Sequence, residues 1–212
     1  MKLALAVLAL GATAPAATVQ LTNPGVVSPP SCPANPCTVV SRTTAIQVAD
    51  GTVSGPFVVK QRGRITSWSV TLATPVTEQI HYFDTHEGGP AEAEIGVLRP
   101  VGGLNYELVS ESGVVHFQPW FGKTAKINLH RSLRVKPGEV IALIVPTWLP
   151  ALALNYPSTT AWRASRTSAA CNDVADQTVQ NLVGSRTAYG CLYTTAMVTY
   201  AATEVTPRGR SR

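Results

Sequence analysis

The segment that most constrains the fold is residues 133–150, LRVKPGEVIALIVPTWLP. Residues 133–136 alternate apolar and basic side chains, as a half-buried β-strand does. Proline and glycine in residues 136–139 favour a tight turn, because proline presets φ and glycine accepts a positive φ. Residues 140–145 are all apolar and rich in β-branched side chains, which favours a strand covered on both faces. The segment predicts a β-hairpin whose second strand lies mid-sheet and ends at Pro146.

The composition favours strands and turns over helices. Charged residues make up 14% of the 212 residues, and the chain has 16 glycines and 16 prolines. The charged fraction of soluble domains is about 25%. Short apolar segments separated by turn signals, with no fixed repeat and no linker, predict an all-β fold. We expect one antiparallel β-sandwich, jelly-roll-like with long disulfide-tied loops, over residues 17–205.

The two ends of the chain differ from this domain. Residues 1–16 have a basic start at Lys2, a short apolar segment and small residues before the expected cleavage site, which is the pattern of a signal peptide. The alternative is a buried N-terminal helix. The apolar segment is too short to span a bilayer, so we expect a secreted, extracellular protein without a transmembrane segment. Residues 206–212 form a basic tail, which we expect to be flexible and solvated.

The chain has four cysteines, at positions 32, 37, 171 and 191. In an exported chain, four cysteines most simply form two disulfides. Three pairings are possible, and proximity in sequence favours Cys32–Cys37 and Cys171–Cys191. A zinc site is the competing interpretation, but the cysteines lack the paired short spacings typical of structural zinc.

Other segments give a coarse order of elements. Residues 64–72 alternate strongly, which places Trp68 in the core. Residues 78–84 are predicted to form a strand, and residues 91–98 another. Residues 158–185 are polar and aperiodic, which predicts a long loop.

A polar cluster around His81, Asp84 and His86 is a weak candidate metal site. Two imidazoles and a carboxylate can bind a metal ion. On the predicted strand, Asp84 and His86 would share one face and His81 would lie on the other. The spacing matches no known metal motif, so a solvated strand end is the alternative. No cofactor is expected.

Two glutamates, Glu92 and Glu94, are predicted to project from one solvent-facing side of a strand. Paired carboxylates are what glycoside hydrolases use. With Asp84 nearby, this pair supports a secreted polysaccharide hydrolase as an alternative function, whereas solvent-facing glutamates ordinarily serve solubility. The chain has no Gly-x-Ser-x-Gly nucleophile motif and no phosphate-binding loop.

Aromatic residues in predicted loops are the candidate ligand-binding residues. Trp120 and Phe121 lie in a loop bounded by proline and glycine, and Trp148 lies between two prolines. Trp162 is followed by Arg163 in the predicted long loop, where a ring could stack on a ligand and a cation could bind it.

Three segments carry a resemblance to known proteins: residues 135–143, with their Pro-Gly-acidic turn, residues 65–70 and residues 189–193. With these, the chain resembles an uncharacterised group of secreted bacterial β-sandwich proteins of jelly-roll type. The resemblance implies a fold and an extracellular location, but no activity.

Together these features predict a secreted, non-enzymatic protein that binds glycan or cell-envelope polymer. The alternatives are the hydrolase and a purely structural surface protein. The formal net charge of +5 is modest, and no nucleic-acid partner is expected. The sequence leaves the oligomeric state open.

Overall fold

The computed structural model describes residues 16–25, 27–172 and 177–206. The predicted signal peptide, apart from Ala16, and the basic tail beyond Thr206 lie outside this range. Within it the protein is all-β, with one α-helix and two short 3-10 helices.

The described elements follow in chain order. They are β1 (Ala17–Thr22), β2 (Val40–Asp50), β3 (Val53–Ser54), β4 (Gly63–Thr71), α1 (Thr77–His86), β5 (Glu92–Gly102), β6 (Asn105–Glu111), β7 (Val115–His116), a 3-10 helix (Gln118–Trp120), β8 (Thr124–Val135), β9 (Val140–Leu149), β10 (Leu152–Leu154), β11 (Ala161–Ala164), a second 3-10 helix (Ser168–Ala170), β12 (Arg186–Ala188), β13 (Cys191–Thr194), β14 (Ala196–Val198) and β15 (Tyr200–Thr206).

The strands form antiparallel sheets. A small sheet has the order β1-β15-β4-β8, and a large sheet has the order β12-β6-β5-β9-β2-β11-β13, with β3 on β2 and β7 on β5. A two-stranded ribbon, β10-β14, completes the described structure. Strand β9 is central in the large sheet and its residues 140–145 are all buried, which confirms the mid-sheet prediction.

The predicted hairpin at residues 133–150 is wrong. Strand β8 pairs with β4 in the small sheet, whereas β9 pairs with β5 and β2 in the large one. The turn between them has the expected geometry, with Gly138 at φ +85° and the Glu139 N–H donating to the Lys136 carbonyl at 3.1 Å. Val59 lies against this turn, because its carbonyl accepts the Gly138 N–H and its N–H donates to the Glu139 carbonyl. A turn motif alone does not say whether the strands that it joins pair with each other.

Pro146 does not end β9, because a β-bulge accommodates it. Thr43 pairs with Val145 and Ser41 with Trp148, so β9 has one more residue than β2 between these pairs. A bulged position needs no ladder N–H, which proline lacks. The bulge carries the strand on to Leu149.

Residues 78–84 are helical, so the predicted strand there is also wrong. Helix α1 begins after Val76, whose N–H donates to Oε1 of Gln79 at 3.0 Å. It ends before Gly88, whose φ of +91° stops a helix readily. Phe83 is its one buried residue, and a segment with so little apolar surface leaves a weak periodic signal in the sequence.

Both predicted disulfides are present, Cys32–Cys37 and Cys171–Cys191. The second ties the segment that follows β11 to strand β13. The predicted long loop at residues 158–185 is wrong in its first part, because β11 lies within it and pairs with β2 and β13.

Candidate functional site

Trp162 lies in strand β11 rather than in a loop. Directly opposite it on β13 is Tyr193, and the two rings stack with centroids 4.6 Å apart and an interplanar angle of 27°. Trp162 is 5% exposed, so its ring is not the open platform that the sequence predicted. The two stacked rings form one continuous apolar surface.

Arg163 does not share this site with Trp162. Successive side chains of a strand point to opposite faces, and Nη1 of Arg163 donates to the carbonyls of Tyr189 and Gly190 at 3.1 and 3.2 Å. The cation beside the Trp162 ring is Arg166, four residues along the chain. Its side chain is buried, and its Nη2 donates to the Ser41 carbonyl at 3.0 Å.

These residues line a pocket of about 250 Å³, which we call the aromatic pocket. It lies between the large sheet, the β10-β14 ribbon and the segment before β2. Its lining residues are Thr38, Val39, Ser41, Leu152, Leu154, Trp162, Arg166, Tyr193, Thr194, Thr195 and Ala196.

Two buried donors of residues that line the aromatic pocket have no acceptor among the residues that the structure describes. Nε1 of Trp162 and Nε of Arg166 make no hydrogen bond within the described structure. No carboxylate of the described residues forms an ion pair with Arg166. Burying a cation without a partner is costly, and unpaired buried groups are few in folded proteins. Nε1 of Trp68 is also unpaired, but Trp68 does not line this pocket.

The aromatic pocket is therefore suited to a small ligand that has an apolar face and a polar or negatively charged group. The Trp162 and Tyr193 rings offer an apolar surface, and Arg166 is the one cationic residue of the lining. The volume lies just below the range of about 300–1,000 Å³ that holds drug-sized ligands, so the ligand would be about the size of one sugar ring.

The other predicted aromatic residues lie together in a second region. Trp148 is fully buried, and its Nε1 donates to Oδ1 of Asp84 at 2.9 Å and to the Gly89 carbonyl at 3.1 Å. The half-buried ring of Phe121 lies 5.5 Å from it. Trp120 ends a 3-10 helix and is 37% exposed. Trp148 has all its hydrogen bonds inside the protein, which indicates a structural role.

The candidate metal ligands are dispersed along helix α1. Oδ2 of Asp84 accepts a hydrogen bond from Nε2 of Gln118 at 3.0 Å, in addition to the bond from Trp148. His86 stacks on Tyr82 and its Nδ1 lies 2.8 Å from the Tyr82 carbonyl oxygen, while His81 is exposed. Within residues 16–25, 27–172 and 177–206, no three His, Cys, Asp or Glu side chains are grouped to hold a metal ion.

The two glutamates of β5 differ from the solvent-facing pair that the sequence predicted. Glu92 forms an ion pair with His116 at 3.1 Å, whereas Glu94 is buried. Burial, together with the nearby Glu111 carboxylate, raises the pKa of Glu94 to about 7. The prediction of a solvent-facing pair is wrong because the large sheet is covered on both faces along β5. Asp84, Glu92 and Glu94 each have different neighbours, so this geometry gives the hydrolase hypothesis no support.

Sequence reasoning missed Arg166 and Tyr193. Strand alternation could not have found Arg166, because β11 ends at Ala164 and the chain turns there, with the Arg166 N–H donating to the Ala164 carbonyl at 2.7 Å. Nothing in the sequence paired Trp162 with Tyr193, because the register of two strands distant in sequence depends on the whole sheet.

In the part of the chain that the structure describes, no helix has the length and hydrophobicity needed to cross a bilayer. No family model, no curated protein and no solved structure matches the chain.

Proposed function

We propose that the protein is a secreted, non-enzymatic β-sandwich protein, of jelly-roll type, that binds a glycan of the cell envelope or its surroundings. The observation that carries the proposal is the aromatic pocket, which is lined by the stacked pair of Trp162 and Tyr193 and by the buried Arg166. Nε1 of Trp162 and Nε of Arg166 have no acceptor among the described residues. The two disulfides are compatible with the extracellular location.

The ligand group that fits the aromatic pocket best is a sugar residue with a carboxylate. The C–H face of a sugar ring packs on aromatic side chains, and its hydroxyl oxygens accept hydrogen bonds from an indole N–H. A carboxylate would supply the countercharge that Arg166 lacks among the described residues. Charge-assisted hydrogen bonds contribute about 1.5–3 kcal/mol, so the carboxylate is expected to dominate the selectivity.

The test is a comparison of glucuronate with glucose, which share the same ring and differ at C6, a carboxylate in glucuronate and a hydroxymethyl group in glucose. We expect glucuronate to bind at least about tenfold more tightly, which corresponds to about 1.4 kcal/mol. Isothermal titration calorimetry or quenching of tryptophan fluorescence measures both affinities.

Two variants locate the binding. Trp162→Phe keeps an aromatic ring but removes the indole N–H, and should weaken the binding of both sugars. Arg166→Met removes the charge at similar volume, and should abolish the preference for glucuronate. Trp120→Phe is the matched control in the other aromatic region and should change neither affinity. If Trp120→Phe abolishes binding and Trp162→Phe does not, the aromatic pocket is not the site.

A further inference from the structure

Five exposed basic side chains gather at one end of the small sheet, a region that we call the basic groove. They come from the start of β4, from the second half of β8 and from the turn after it. None of them forms an ion pair with any described acidic residue. They are Arg62, Arg64, Arg131, Arg134 and Lys136.

The ion pairs of the described structure lie elsewhere. Arg99 and Arg186 share Glu107, and Arg99 also contacts Glu139. Arg42 pairs with Glu87 at 3.1 Å. Arg42, Arg99 and Arg186 are thus neutralised by acidic neighbours, whereas the arginines of the basic groove are not.

Two arginines of the basic groove face each other across the sheet. Arg64 and Arg134 are direct partners in the antiparallel pairing of β4 with β8. Like charges in this position destabilise a sheet. Nη1 of Arg64 donates to Oγ of Ser132 at 3.0 Å, which orients the side chain without neutralising it. A fold that keeps this repulsion maintains a strongly positive site.

Two cavities meet at these arginines. One of about 470 Å³ also contains Arg62 and Lys136, and one of about 770 Å³ also contains Arg131. Both are lined by Arg64 and Arg134. One carboxyl group, that of Glu111, is among these lining residues, and burial raises its pKa. The shared lining makes the groove long, which suits a linear polymer better than a single small anion.

A polar track continues from the basic groove over the outer face of the small sheet. Along β4 and β8 the paired residues after Arg64 and Arg134 are polar and partly or fully exposed. This track has hydroxyl, amide and ammonium groups but no acidic or aromatic side chain. The pairs are Ser67 with Asn128, Ser69 with Lys126 and Thr71 with Thr124.

We propose that the basic groove and this polar track bind a linear anionic polysaccharide, with its sulfate or carboxylate groups on the arginines and its hydroxyls on the track. Single-stranded nucleic acid is disfavoured as the occupant, because its binding sites use aromatic side chains to stack bases. The inference rests on residues distinct from the aromatic pocket, so either proposal can fail while the other holds.

The experiment compares dextran sulfate with unsubstituted dextran of equal length, which share the same glucan backbone and differ in their sulfate ester groups. We expect the full mature protein to bind dextran sulfate, with an affinity that falls as salt rises, and not to bind dextran. Arg134→Ser should weaken binding several-fold and reduce the slope of log affinity against log salt by about one.

Arg186→Ser is the matched control, because it removes the same charge from an arginine that Glu107 already neutralises. Its affinity should stay within about twofold of the parent, since the charge that it removes is already offset by Glu107 at 3.1 Å. Equal losses in the two variants would show that net charge alone drives binding, and would overturn the proposal. Tighter binding of single-stranded DNA than of dextran sulfate would overturn the choice of a glycan.

Two further variants test whether dextran sulfate binds at the basic groove or at another part of the chain. A chain that ends at Thr206 lacks the three arginines of the tail and should still bind dextran sulfate; complete loss would assign binding to the tail instead. Arg166→Met should leave dextran sulfate binding unchanged, and a loss there would place the polymer in the aromatic pocket.

Discussion

Trp148 and Trp162 are both buried in the large sheet, but they differ in how their indole N–H groups are satisfied. Trp148 donates to Asp84 and to the Gly89 carbonyl, whereas Trp162 has no acceptor in the described structure. Both are aromatic residues that sequence reasoning selects as ligand contacts. Buried polar groups are almost always hydrogen-bonded, but Nε1 of the core residue Trp68 is also unpaired. An unpaired indole N–H therefore distinguishes Trp162 only because its side chain also lines a pocket.

The charged residues near the two tryptophans, Asp84 near Trp148 and Arg166 near Trp162, also differ in whether their polar atoms are hydrogen-bonded. Both carboxylate oxygens of Asp84 accept hydrogen bonds, from Trp148 and from Gln118. Arg166 is buried beside Trp162 with an unpaired Nε and no carboxylate partner among the described residues. The polar groups of the Trp148 region are therefore satisfied within the fold, whereas the aromatic pocket keeps a buried cation without an ion-pair partner among the described residues.

The largest expected effect is that of Trp148→Ala. Removing a fully buried tryptophan from a core costs about 3–5 kcal/mol of unfolding free energy. Urea denaturation followed by circular dichroism measures it. A loss of unfolding free energy below about 1 kcal/mol would contradict a structural role for Trp148.

Asp84→Ala should destabilise the protein by about 1–3 kcal/mol, because it removes an acceptor from the buried Trp148 N–H and another from Gln118. Asp84→Asn is the control, since its amide oxygen can still accept one of these bonds, and it should cost less. Equal losses in the two variants would show that the hydrogen bonds contribute little. Glucuronate binding should be the same in both.

Glu94 should make stability depend on pH. Its pKa is about 7 in the folded protein against an ordinary value of 4.5, so the folded chain keeps a proton that the unfolded chain releases between these values. Stability should therefore fall as pH rises from 4.5 to 7 and level off above that. Glu94→Gln should flatten this part of the profile of melting temperature against pH and be more stable than the parent at pH 8. Burial also raises the pKa of Glu111 and Glu204, so a residual slope of the same sign is expected.

The effect of Arg166→Met should be the smallest and opposite in sign to that of Asp84→Ala. Replacing a buried, uncompensated cation by an apolar side chain of similar volume should stabilise the free protein by about 1 kcal/mol. Denaturation without ligand gives the value. A loss of more than about 1 kcal/mol would show that Arg166 is fully satisfied inside the fold and is a structural residue like Asp84.

The parts of the fold that sequence could predict are those set by local chemistry. The apolar residues 140–145 predicted a central strand, and the two disulfides followed from proximity along the chain. The pairing of β8 with β4 could not be predicted, because the Pro-Gly turn before β9 is compatible with both a hairpin and a connection between sheets. Helix α1 was missed because Phe83 is its one buried residue.

The candidate site was predicted only in part, for a related reason. Trp162 was predicted to lie beside a cation, and that cation was taken to be its neighbour Arg163. In strand β11 these neighbours lie on opposite faces, and Arg166, two residues beyond the end of β11, lines the pocket with Trp162 instead. Tyr193 depends on the pairing of β11 with β13, and the absence of acceptors for Trp162 depends on every surrounding atom, so neither has a local signature.

The most direct test of the account is a titration of the four indole N–H resonances with glucuronate by ¹H–¹⁵N NMR, each resonance assigned from its Trp→Phe variant. The Trp162 resonance should shift as its N–H gains an acceptor, while that of Trp148, already bonded to Asp84, should stay in place. An unmoved Trp162 resonance at saturating glucuronate, or a shift confined to Trp120 or Trp148, would contradict the assignment of the aromatic pocket as the binding site.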